Sequence, residues 1–154
     1  MVRVARQGTA NLDNAIRQLA QNKVTKAGWF ETAKYEDGTQ VAYIAQILEL
    51  GYASKNIPPF AMLRQTIDMH ENEWKRFLQQ MSLRIVKGQM TLDQAMEALG
   101  LLVSGDIRKT ISTITSPALK QSTIKARQRR GNSSTKPLVD SGLLLATVTS
   151  LVEG

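Results

Sequence analysis

The chain has 154 residues, of which 42% are hydrophobic and only 5% aromatic, with no cysteine and a formal net charge of +7. This length fits one domain whose core is built from Leu, Ile, Val and Met. The missing cysteines exclude disulfides and thiolate metal sites, and no apolar run approaches the ~20 residues that cross a bilayer.

The N-terminal stretch Met1–Gly8 is basic but is followed by no apolar region. It does not read as a secretory signal, so a soluble cytoplasmic product is expected. The charge is uneven. No acidic residue lies between Asp106 and Asp140, whereas eight of the 20 basic residues do: Arg108, Lys109, Lys120, Lys125, Arg127, Arg129, Arg130 and Lys136. The excess is thus a local feature of the C-terminal third.

In chain order, Leu12, Ile16, Leu19 and Ala20 recur at helical spacing and predict a short amphipathic helix over 9–21. Lys23 to Lys34 mixes Val24, Thr25, Trp29, Phe30 and Thr32 with polar residues and reads as a strand, bent at Gly28. Tyr35-Glu36-Asp37-Gly38-Thr39 is a turn, because Asp-Gly accommodates the positive φ that tight turns need. Thr39 to Leu50 is a helix with so narrow a polar face that most of it should be buried. Gly51 suits a left-handed position after it. Tyr52 to Pro59 is a proline-stiffened loop, and Phe60 to Thr66 reads as a short strand.

A long helix is expected from Ile67 to Lys87, with Trp74 on its apolar stripe and therefore in the core. Thr91-Leu92-Asp93-Gln94 is a capping box that opens a helix from Leu92 to Thr113. Gly100 and Gly105 weaken that helix and point to a bend or a close contact. Gln121 to Thr135 is polar, basic and poor in apolar residues, and Gly131-Asn132-Ser133-Ser134 reads as a mobile loop. Asp140 or Ser141 can cap a single turn holding Leu143 and Leu144, and Ala146 to Val152 reads as a closing strand. The expected fold class is α+β. A small antiparallel sheet packs against two long helices, with shorter helices and a Pro-rich arm. The expected organisation is a single domain over 1–154. Its main body is 9–115, its basic mobile region 116–136, and its closing turn and strand 137–154.

Catalytic machinery is not evident. His70 is the sole histidine, and its neighbours Glu71 and Glu73 point in different directions on a helix. Ser141-Gly142 lacks the G-x-S-x-G pattern of a nucleophile elbow. Phosphate-cradling glycine loops are missing as well. A non-enzyme without cofactor or metal is expected. Trp29 suits either the core or an interface anchor. Ile57-Pro58-Pro59-Phe60 is either an ordinary rigid loop or a stiff arm for a neighbour, since its ordering entropy is largely spent in advance. Lys120, Lys125, Arg127, Arg129 and Arg130 are candidates for contact with DNA phosphates, sequence-independent and salt-sensitive; a solvated basic loop is the competing reading.

Several segments together resemble a family: Gly28-Trp29-Phe30, Tyr35-x-Asp37-Gly38-Thr39, Val41-Ala42-x-Ile44-Ala45, Leu50-Gly51, Ile57-Pro58-Pro59-Phe60, Trp74, and Lys136-Pro137-Leu138-Val139-Asp140-Ser141-Gly142. Their order is similar to that in the neck, or tail-completion, proteins that join head to tail in tailed bacteriophages. Three departures stand out. The arm lacks the Arg-Pro that precedes Phe in the family pattern, Ser141 stands where Thr is commoner, and Leu50 stands where an aromatic is frequent. The resemblance implies a structural virion protein at the head-to-tail junction. By the same resemblance it is expected to form a cyclic ring, a hexamer by analogy, around the DNA path and to contact the head connector and the tail tube or terminator. A tail-terminator ring and a sequence-nonspecific DNA-binding module are the alternatives. Trp29, Ile57, Pro58, Pro59, Phe60 and Leu63 are the candidate subunit-interface residues.

Overall fold

The structure, a computed structural model, describes residues 2–154, with side chains from residue 9 onward. Among the described residues the elements run α1 (Val2–Leu19), β1 (Val24–Gly28), α2 (Val41–Leu50), a 3-10 turn (Ala53–Lys55), α3 (Met62–Val86), α4 (Leu92–Thr113), α5 (Gln121–Arg129), α6 (Leu143–Ala146) and β2 (Thr149–Glu153). The fold is α+β, with a two-stranded antiparallel sheet of β1 and β2 packed against long helices. No helix among the described residues is long and apolar enough to cross a membrane.

The chain gathers into two compact units. One holds the residues up to Ala27, His70–Val103 and Ser150–Gly154. Its core sets Ala15 of α1 against Met81 and Ile85 of α3 and Leu92 and Ala95 of α4, with Phe77, Met90 and Met96 at the margin. The capping box forms as the spacing predicts. Gln94 donates its backbone N–H to Thr91 Oγ1 at 3.2 Å, and Thr91 donates its own to Gln94 Oε1 at 3.0 Å. A further orphan donor at this helix start, the Leu92 N–H, reaches Gln18 Oε1 of α1 at 2.8 Å. The sheet is tied to α4 by the Thr25 hydroxyl, which donates to the Met96 carbonyl at 3.0 Å. Gly100 permits the close approach of β2: a Cβ there would lie 2.6 Å from Ser150 Oγ.

The other unit holds Gly28–Met69 and Ser104–Thr149. Val41, Ala45, Phe60, Met62, Ile107, Ile111, Ile114, Leu138, Leu144 and Val148 are buried in it. Its 35–39 turn is as expected. Tyr35 N–H donates to Thr39 O at 2.8 Å, Gly38 N–H to Tyr35 O at 2.9 Å, and Gly38 has φ +84°.

Five expectations change. The 60–66 segment is not a third strand. Ala61 turns the chain at φ +49° and α3 begins at Met62, so Met62 and Thr66 share a buried face at helical spacing. A two-residue and a four-residue period coincide over so short a run, which is why the pattern misleads. The 23–34 strand stops at Gly28, where φ reaches +146°. Helix α2 is not mostly buried. Val41, Ala45 and Glu49 form its inward stripe, while Tyr43 and Leu50, half a turn away, are 54% and 62% exposed. Gly51 has the expected positive φ of +78° but an extended ψ of 166° in place of a left-handed one. Finally, Gln121–Arg129 of the expected mobile region 116–136 is helix α5.

Candidate functional site

Helix α5 turns Thr123, Ile124 and Arg127 toward its own unit and Lys125 and Arg129 away from it. Arg127 is only 5% exposed. Its guanidinium organises the segment that follows. Nη1 donates to the carbonyls of Lys136 at 2.7 Å, Val139 at 3.2 Å and Ser134 at 3.4 Å, and Nη2 donates to that of Pro137 at 2.9 Å. Nε faces Asp140 Oδ1 at 3.5 Å. A planar fork with several fixed donors can satisfy four converging carbonyls, which a point-charge ammonium cannot. Arg127 is therefore withdrawn from the DNA-facing candidates, because it is buried and its Nη donors are spent on carbonyls, while its Nε is buried without a hydrogen-bond partner among the described residues.

Asp140 is a second node. It accepts from Asn132 Nδ2 at 2.8 Å and from Arg130 Nη2 at 3.3 Å. Arg130 is thus exposed but shared with a carboxylate. Lys120, Lys125 and Arg129 are exposed. Beside Asp140 lies a hollow of about 320 Å³ lined by residues that include Tyr35, Leu48, Arg130, Leu138 and Leu144. The Tyr35 phenol is pushed up by burial first, then by the charges of Asp140 and Asp37. The Asp37 carboxyl is lowered by hydrogen bonds from Thr39.

The proline arm is a closed, internally bonded loop. Tyr52 and Ile57 exchange backbone bonds, N–H of Tyr52 to Ile57 O at 2.8 Å and N–H of Ile57 to Tyr52 O at 3.1 Å, with Asn56 left-handed at φ 53°. At Gly51 the arm closes onto the end of α2: a Cβ there would lie 2.8 Å from the Pro59 backbone nitrogen. Pro58 and Pro59 are exposed, and Ile57 and Leu63 are half-buried. Phe60, expected at the subunit interface, is instead 7% exposed within its own unit. Its N–H donates to Leu48 O at 2.8 Å, and its carbonyl accepts from Gln65 Nε2 at 2.7 Å. Two backbone anchors draw the ring inward, away from the arm's tip. Beside the arm runs an open cleft of about 710 Å³ lined by residues including Leu50, Tyr52, Pro58, Pro59 and Lys120.

Glu49 escaped the sequence reading. It is a buried carboxylate that accepts the N–H groups of Leu63 at 2.8 Å and Arg64 at 3.3 Å, and the Arg64 Nε at 3.3 Å. It caps the start of α3 from another helix, where a negative charge also suits the helix dipole. An acid on the inward stripe of an apolar helix was the available signal. Trp29 is half-buried, and its indole Nε1 donates to Leu144 O at 2.8 Å, so it anchors α6. Trp74, expected in the core, is half-buried and stacks on His70 with ring centroids 6.3 Å apart and planes 18° from parallel. His70 Nδ1 also faces Glu73 Oε2 at 3.2 Å. Among the described residues, no group of three or more His, Asp or Glu side chains is placed to hold a metal.

The site thus consists of surfaces: an apolar rim at the arm, a locked 134–140 segment and a cationic helix face. No protein-family model, no curated protein and no solved structure matches the chain.

Proposed function

We propose that the chain is a structural virion protein that assembles as a ring at a phage head-to-tail junction. One observation carries the reading. The motif segments around the Tyr35–Thr39 turn, α2 and Gly51, the Ile57–Phe60 arm and Lys136–Gly142 all fall within one compact unit. Within it, Leu50, Tyr52, Pro58 and Pro59 remain as an exposed apolar rim. The segments are distant in sequence, yet each is fixed by its own hydrogen bonds.

The physics of association supports the same reading. A rim whose backbone is already ordered loses little entropy on docking. Closed rings need two different patches that meet head to tail, and the rim supplies one of them. The resemblance supplies the location. Deleting the coding sequence from the genome that carries it should yield separate heads and tails. Native mass spectrometry of the purified chain should show a ring mass that Leu50→Ser/Tyr52→Ser abolishes while leaving the fold intact. Particles joined normally without the protein would overturn the proposal.

A further inference from the structure

We infer that the outward face of α5 is a binding surface for the sugar-phosphate backbone of duplex DNA, with Lys120, Lys125 and Arg129 as its phosphate contacts. Helix geometry places Lys125 and Arg129 one turn apart, roughly 6 Å, on the same face. Arg127 points the opposite way and is consumed by four carbonyls. Lys120 stands at the N-cap, where the helix begins. The three side chains are exposed, and among the described residues none of them is paired with a carboxylate. Arg130, by contrast, already shares Asp140. Helix α5 itself contains no acidic residue, so the charges it presents are of one sign.

The chemistry selects among polyanions. An anionic membrane needs an apolar helix face to sink into the lipid. Ile124, the one large apolar residue of α5, is half-buried and turned inward. Single strands are held by aromatic stacking platforms, and α5 contains no aromatic residue. What remains is contact with phosphates, helped by Gln121, Ser122 and Gln128 as neutral donors beside the cations. Such binding ignores sequence and follows counterion release, with a slope of about −0.9 in log K against log salt for each phosphate neutralised. Three contacts give a slope near −2.7, which is about a 40-fold loss of affinity between about 50 and 200 mM salt.

This inference is independent of ring assembly. A chain that binds duplex but never forms a ring retains the one and loses the other. The test is fluorescence anisotropy with a labelled duplex of about 30 base pairs, titrated at several salt concentrations. Lys125→Gln/Arg129→Gln should bring the slope to about −0.9 and the loss over the same salt range to about fourfold. Arg84→Gln/Lys87→Gln, which removes two exposed cations elsewhere, should leave the slope unchanged. No duplex binding at the lowest salt would overturn the inference, as would equal slopes for the α5 variant and the wild type. Vesicles containing phosphatidylserine, or the single strand of the same length, binding as tightly as the duplex through the same two residues would also overturn it.

Discussion

Arg127, Arg129 and Arg130 lie within four positions and do three different things. The first is buried and holds four carbonyls, the second is exposed, and the third shares a carboxylate. Removing a buried charge that organises its surroundings costs on the order of 3–5 kcal/mol, because its partners stay buried and unpaired. Arg127→Ala should therefore lower the urea midpoint strongly and expose residues 131–142 to proteolysis. Arg127→Lys should recover little of the loss, since an ammonium cannot span the carbonyl set. Arg129→Ala should change stability by no more than about 0.5 kcal/mol. A neutral Arg127→Ala would mean that the segment is held by something else. The sequence could not separate these three. Only the helical period tells inward from outward, and α5 has too few apolar residues to reveal that period. Tyr35 yields a pH prediction. Its phenol is raised in the folded state, so its protonated form is favoured there. The contribution is fully present below the unfolded value of about 10 and is lost as pH rises through the folded value. Melting temperature should fall above about pH 10 more steeply in the wild type than in Tyr35→Phe. Parallel curves would remove Tyr35 from the account.

Helix α4 carries two glycines in different surroundings. At Gly100 a Cβ would meet Ser150 Oγ at 2.6 Å and Ser150 Cβ at 2.8 Å, whereas at Gly105 it would meet nothing within 4 Å. Alanine is favoured over glycine in a helix interior by about 1 kcal/mol. Gly105→Ala should thus raise unfolding free energy by about that amount. Gly100→Ala should lower it, because β2 must shift to make room, and Ser150→Gly should restore part of the loss. Equal stabilisation by both alanines in thermal melts would show that the strand yields freely. Elements with a self-contained signal were legible in the sequence. The capping box fixes the start of α4, and the Asp-Gly turn closes as its chemistry requires. Elements decided by distant partners were not. The start of α3 depends on Glu49, 13 residues before Met62, and α5 depends on Arg127 meeting carbonyls up to 12 residues away. The arm was legible as a rigid loop, but the inward turn of Phe60 was not, because that follows from a bond to Leu48.

Each of the two units buries apolar residues of its own, and the large side chains that matter most are not the ones that composition suggests. Trp74 has the bulk of a core residue, yet it is half-buried and rests on His70. Phe60 sits beside an exposed proline pair, yet it is 7% exposed and belongs with Val41, Ala45 and Met62 in the core of its unit. Truncating a buried Phe costs about 3–5 kcal/mol through lost transfer energy and the cavity left behind. A half-buried Trp loses only part of such a sum. Phe60→Ala should therefore destabilise the protein more than Trp74→Ala does, measured as urea midpoints on matched samples. This ordering bears on assembly as well. A Phe60 variant that fails to form rings would report a damaged core, so the rim has to be probed through Leu50 and Tyr52, which are 62% and 43% exposed and can be replaced without opening a cavity. If Trp74→Ala proves the more damaging change, or if Phe60→Ala leaves the midpoint unmoved, then Phe60 is not held in that core and the arm is free to carry its ring outward to a neighbour.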